Sequence, residues 1–262
     1  MTEPKLLFEV DSRGVATLTL NRPEVHNAFD DEVIGALIAR LEEVESNSNI
    51  RALVLRSNGK HFSAGADLGW MKRMADLTYD QNLADAGELA TLMSRLDALR
   101  VPVLTLVQGA AYAGALGLVC CSDVTLASTR ATFCISEVNL GLAPAVISPY
   151  VVAVMGARAA RRYFLSAEVF DADEAQRLGI VTEIVDEFEL DSACERVITN
   201  WLAKGPVALA RTKALIRRVA RAPVDDAMIE STIALIAELR VSAEGQEGLA
   251  AFFEKRNPSW RE

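Results

Sequence analysis

The sequence predicts an α/β fold of repeated β-β-α or βαβ units packed in layers, followed by a helical region. Two observations predict it. Short apolar or alternating segments recur between segments of helical periodicity as far as about residue 185. From about residue 190 the pattern turns almost wholly helical. No low-complexity linker and no internal repeat interrupts the chain. The expected organisation is therefore a core over residues 1–190 and a C-terminal helical region over 191–262.

Residues 6–10 and 15–20 read as two strands around the turn Asp11-Ser12-Arg13-Gly14. Asn21-Arg22-Pro23 ends the second. Asp30 is placed to cap a helix in which Val33, Leu37, Leu41 and Val44 share a face. Residues 51–56 form a short strand of buried type, and 61–69 a loop of small residues. A long helix spans 79–99. Residues 103–107 are another apolar strand, and Gly114 is placed to open a helix within the small-residue segment 109–121. Strand-like segments follow at 122–127 and 131–135, with a later one at 181–185. From about residue 157 the chain is mainly helical, with helices at 171–178, 190–203, 207–221, 225–239 and 243–254.

The chain has 262 residues, 27 Lys+Arg against 36 Asp+Glu and a formal charge of −9, so no overall positive field gathers nucleic-acid phosphates. An anionic small ligand held by local dipoles remains compatible with that charge. With 51% hydrophobic and 24% charged residues, the composition is that of a globular domain with ample core. The longest apolar stretch, 109–121, falls short of the roughly 20 residues a spanning helix needs. The first residues show no basic-then-apolar signal, and a soluble cytoplasmic protein is expected. Cys120, Cys121, Cys134 and Cys194 form no zinc-type spacing and read as reduced thiols, with no metal site expected.

Three segments can carry chemistry. His61-Phe62-Ser63-Ala64-Gly65-Ala66-Asp67 follows a strand, and its small side chains let backbone N–H groups approach an oxyanion. Gly109 to Gly117 places Gly114 where a helix start would present an unpaired N–H. Ser136-Glu137-Val138 sets a carboxylate among apolar neighbours, where burial would raise its pKa. Each also has a plain structural reading: a tight connection, close helix packing, an exposed strand end. No G-x-G-x-x-G, phosphate loop or G-x-S-x-G is present. His26 and His61 lack a nucleophile motif. The basic residues Arg211, Lys213, Arg217, Arg218 and Arg221 read as a solvated face, or as partners of ligand phosphates or acidic neighbours.

In this order, the three segments resemble the crotonase superfamily, the enoyl-CoA hydratase/isomerase family. The resemblance runs from Leu20-Asn21-Arg22-Pro23 and Asn27-Ala28 through the three segments to Phe252-Phe253-Glu254-Lys255-Arg256. It implies a core of stacked β-β-α turns, with the C-terminal helices mediating a homotrimer or a homohexamer. It implies an acyl-CoA thioester as substrate, with CoA part of that substrate and no separate cofactor. The thioester oxygen would lie between the amides of Ser63 and Gly114. Phe62, Ala64, Gly65 and Ala66 would bracket the CoA, and Phe252 and Lys255 would approach it from the tail, often that of a neighbouring subunit.

The resemblance also marks a departure. Hydratases with two catalytic glutamates carry the first on the helix after the oxyanion glycine, and Gly117 stands there. The second matches Glu137, which would act alone as acid and base. The following stretch is altered to Pro144-Ala145-Val146-Ile147. The wording around 62–71, 136–149 and 240–248 is similar to bacterial methylglutaconyl-CoA hydratases. That implies a hydro-lyase for a branched enoyl-CoA such as 3-methylglutaconyl-CoA, in leucine or acyclic terpene breakdown, with an Arg or Lys meeting its second carboxylate. A Δ3,Δ2-enoyl-CoA isomerase is the alternative of the same class. A noncatalytic acyl-CoA-binding or RNA-binding oligomer is the alternative of another.

Overall fold

The computed structural model describes residues 3–261. Strands β1 (Leu6–Val10) and β2 (Val15–Leu20) form an antiparallel hairpin. From β2 onward the sheet grows by parallel pairing through β3 (Ala52–Ser57) and β4 (Val103–Val107). A short strand, β5 (Ala110–Tyr112), leaves that sheet, and β6 (Val124–Ser128) rejoins it beside β4. Strands β7 (Thr132–Cys134), β8 (Phe170–Asp171) and β9 (Glu183–Val185) complete two sheets. The larger has the order β1-β2-β3-β4-β6-β9; the smaller, β5-β7-β8.

Helix α1 (Asp31–Ser46) begins where expected: Val33 N donates to Asp30 Oδ1 at 3.0 Å. Its buried face, Val33, Ile34, Leu37, Ile38, Leu41 and Val44, repeats at helical spacing. A short helix, α2 (Leu68–Met74), occupies the end of what reads in sequence as a loop; Asp67 Oδ1 accepts from Gly69 N and Trp70 N. Helix α3 (Tyr79–Ala98) starts with a capping box between Thr78 and Gln81. Helix α4 (Gly114–Cys120) opens at the glycine singled out above. Helix α5 (Ser148–Ser166) starts before residue 157 and turns at Gly156, whose φ of 77° breaks the helical path. Helices α6 (Ala172–Arg177), α7 (Leu190–Leu202), α8 (Pro206–Val219), α9 (Asp226–Val241) and α10 (Ala243–Glu254) follow.

Two apolar clusters flank the larger sheet. One holds the α1, α3, α4 and α5 side chains. The other packs Leu190, Ala193 and Ile198 of α7 on Val15, Val54, Leu104 and Leu126. Helix α7 is thus a layer of the core, although a composition boundary at 190 assigns it to the tail. The apolar runs of β3 and β4 match burial on both faces, and β2, despite its alternating threonines, is buried on both faces as well because helices cover each side of the sheet. Among the described residues, no helix is long and apolar enough to cross a membrane. The four cysteines are unpaired. Basic residues of α8 and of the turn after it meet acidic neighbours, Lys213 with Asp123 at 2.6 Å and Arg221 with Asp97 at 2.9 Å.

Asp30 does more than cap. Lys5 Nζ donates to its Oδ2 at 2.8 Å, and Arg22 lies 3.2 Å away. Burial alone would raise its pKa, but the Lys5 and Val33 hydrogen bonds and the Arg22 charge outweigh burial and lower it. A lowered carboxylate pKa gives stability above the unfolded-state value, lost as pH falls through the folded value. Asp30→Ala is therefore expected to cost roughly 1–3 kcal/mol in urea unfolding at neutral pH, a deficit that narrows below about pH 4.

Candidate active site

The loop carrying Ser63 and Ala66 is tied on both sides. Ser63 N donates to Ala110 O at 3.0 Å, and Tyr112 N donates to Ser63 O at 3.0 Å. Two residues later the loop changes neighbour: Phe29 N donates to Gly65 O at 2.9 Å and Asp67 N to Phe29 O at 3.0 Å. Gly65 turns the corner with φ of 91°, and a Cβ there would press on Tyr112 O at 3.0 Å. Arg22 braces the outside, donating to Ala28 O at 2.7 Å and to Asp67 Oδ2 at 3.0 Å.

This arrangement corrects one expectation. The Ser63 N–H is spent on Ala110 and is not free to meet an oxyanion. Ser63 is also fully buried, its hydroxyl accepting from Gly65 N at 3.1 Å. Between Ser63 and Asp67 the one amide with no acceptor is that of Ala66. Its neighbours Gly65 O and Asp67 N face Phe29, so by strand alternation the Ala66 N–H points the other way. Nothing among the described residues accepts from it, or from the N–H of Gly114 at the first position of α4.

Gly114 and Glu137 are brought together by strand register. In the parallel pair β5–β7, Tyr112 stands opposite Cys134, and Ala113 N donates to Cys134 O at 2.8 Å. Both chains then leave the sheet side by side, one into α4 and the other into a 3-10 turn (Glu137–Leu140). Ala113 holds φ 49° and ψ −125°, a conformation costing about 1–3 kcal/mol for a non-glycine residue. It aims the first amide of α4 away from β5. Gly114 must stay small, because a Cβ there would lie 2.9 Å from the Phe29 ring.

Ala64, Ala66, Gly114 and Glu137 line one cavity of about 570 Å³. Its walls are otherwise mostly apolar: Phe29, Leu68, Trp70, Met71, Met74 and Leu89 from one side, Leu140, Leu142 and Pro144 to Ile147 from the other. Glu137 Oε2 is buried and has no hydrogen-bond partner. Burial pushes the Glu137 pKa up, against a smaller opposite effect of the backbone N–H groups of Glu137 and Ser136. An apolar wall beside an unpaired carboxyl is the environment that prepares a group to exchange a proton.

Other expected residues lie elsewhere. Phe62 is fully buried in the core and does not line the cavity, because the loop turns its side chain inward. Gly65 shapes the loop without lining the cavity. Phe252 and Lys255 belong to the end of α10, where Phe252 is largely exposed, and neither reaches this chain's cavity. Gly117 is buried behind Ile147. Sequence reasoning did not single out Trp70, Asp85 and Leu89 as lining residues. Asp85 Oδ1 accepts from Trp70 Nε1 at 3.2 Å, a contact between α2 and α3 with no local sequence signal.

A family model described as enoyl-CoA hydratase/isomerase matches residues 11–262. The chain belongs to the enoyl-CoA hydratase/isomerase family. The crystal structure of an enoyl-CoA hydratase from Shewanella pealeana superposes with a TM-score of 0.95 at 50% identity, covering 98% of this chain and 96% of that one. A short-chain-enoyl-CoA hydratase of Clostridium acetobutylicum is 29% identical over 92% of each chain. A trans-2-decenoyl-(acyl-carrier-protein) isomerase of Streptococcus mutans is 30% identical over 98% of this chain and 97% of its own. The crotonase fold expected from the sequence is the fold observed.

A carboxylate whose folded pKa is raised favours folding only while protonated, so above its unfolded pKa it opposes folding. Glu137→Gln in this family member is expected to raise the midpoint of thermal unfolding at neutral pH. The gain should shrink toward about pH 4, and scanning calorimetry at the two pH values checks it.

Proposed function

We propose that this enzyme adds water across the 2,3 double bond of an enoyl-CoA thioester, with Glu137 as its acid–base group. One observation supports this above the rest: the unpaired, buried oxygen of Glu137 shares a cavity with two unengaged amides, those of Ala66 and Gly114. Glu137 takes a proton from water as the water oxygen attacks C3. The electron pair of the double bond moves through C2 into the thioester, placing charge on its oxygen. The Ala66 and Gly114 N–H groups hold that charge, where one fixed donor is worth about 3–4 kcal/mol. Glu137 then returns the proton to C2. Every proton is accounted for by substrate, water and this carboxyl, and CoA enters only as part of the substrate.

The finer reading is a branched acyl group such as that of 3-methylglutaconyl-CoA. The apolar walls suit a methyl branch. The lining residues include no Arg or Lys, so a cation for a distal carboxylate has to come from beyond them. Migration of a double bond between C3 and C2 is the second reading. It is favoured by the hydrocarbon at Ile147, where a second carboxylate would otherwise help hold water.

The C-terminal helices support self-association. Ile229, Ile233 and Ile236 share a face of α9 and are about half exposed or more. Phe252 and Phe253 of α10 are exposed as well. A homotrimer, or a hexamer of two trimers, would cover such a face.

Glu137→Gln is expected to lower turnover of crotonyl-CoA or 3-methylglutaconyl-CoA roughly 100- to 10,000-fold while thioester affinity stays within a few-fold. Normal turnover would exclude the assignment of Glu137. In ¹⁸O-labelled water, label at C3 identifies hydration, and an unlabelled shifted alkene from a 3-enoyl-CoA identifies isomerisation. Sedimentation equilibrium should give three or six chain masses, and Ile233→Asp should lower that number.

A further inference from the structure

The place of the absent carboxylate is physically filled. Gly114 and Gly117 are three residues apart on α4 and share a helix face, so a side chain at 117 would project beside the unengaged Gly114 amide. A Cβ built at Gly117 meets Ile147 Cβ and the Met93 sulfur at 3.0 Å each, with the Ile147 Cγ2 methyl closer still. Ile147 is 2% exposed and Met93 is wholly buried, so neither can swing into solvent to make room. Ile147 enters from a different part of the chain, the residue before α5, and it also lines the cavity beside Glu137.

We propose that Ile147 is a specificity-determining residue that, locked against Gly117, keeps a second carboxylate off the α4 wall beside Glu137 and walls the reacting carbons with hydrocarbon. This rests on the reading of Glu137 as the acid–base group. The two positions are size-matched: a glycine on α4 admits the branched Ile147 side chain, and that side chain excludes anything larger at 117. Two consequences follow. The wall next to Glu137 is a methyl surface, so the substituent accommodated at C3 is set by the reach of Ile147. The pH dependence of turnover then carries no ionisation from α4 beside that of Glu137.

A four-protein cycle tests it: the full chain, Gly117→Glu, Ile147→Gly, and the double variant. Gly117→Glu alone is expected to unfold at a markedly lower temperature. Relative to Ile147→Gly, the double variant should show at most half of the loss that Gly117→Glu produces in the chain that keeps Ile147, because the clash is gone. Ile147→Gly, which keeps Glu137 untouched, should change the ratio of kcat/KM for 3-methylglutaconyl-CoA over crotonyl-CoA at least fivefold. The double variant's kcat/KM profile should gain a second ionisation that the full chain lacks. Additive thermal shifts together with an unchanged substrate ratio would overturn the proposal. The thermal coupling needs no activity, so it stands or falls separately from Glu137, whose own failure would appear as undiminished turnover of Glu137→Gln.

Discussion

Everything at the active site hangs on the backbone bridge between Ser63 and the strand at Ala110–Tyr112. Two hydrogen bonds of 3.0 Å fasten the 62–67 loop to β5, and β5 delivers the chain to Gly114 two residues later. The same loop is stitched to Phe29 on its other side. The Ala66 amide is therefore positioned by rigid neighbours, the preorganisation from which its proposed role as an oxyanion donor draws its value. The Ser63 N–H is the fastening and the Ala66 N–H is the free end.

Cost is concentrated around the same cavity. Ala113 adopts a strained backbone at the mouth of α4, and Glu137 keeps a buried oxygen without a partner. Each opposes folding, and each is held by ordinary packing around it: β5 against β7, and a core that runs unbroken from α1 to α5. The Glu137 pKa rises because the carboxyl is buried beside an apolar wall, where a drier surrounding disfavours the ionised form.

The basic residues of α8 and of the turn after it show how charge is used away from the site. Lys213 and Arg221 face Asp123 and Asp97, tying the C-terminal region to the α3 and β6 ends of the core. In an acidic chain such residues are taken up by local partners, and the surface left on α9 and α10 is apolar rather than basic.

Much of this was legible in the linear sequence, wherever the signal is local. Asp30 before an amphipathic run marks the start of α1, Gly114 marks the start of α4, and Glu137 among apolar residues marks a carboxyl with a raised pKa. Periodicity and capping act over a few residues, so the sequence by itself determined most of the elements, the family and the carboxylate at 137, while α2, β5 and β8 lacked a local signal. Which amide of the 62–67 loop stays free was decided only by tertiary structure, because it depends on where Ala110 O and Phe29 come to lie. The filling of the Gly117 space by Ile147, and the Trp70–Asp85 contact between α2 and α3, were decided there too. These are contacts between segments far apart in the chain, and no local propensity encodes which distant side chain arrives in a given volume.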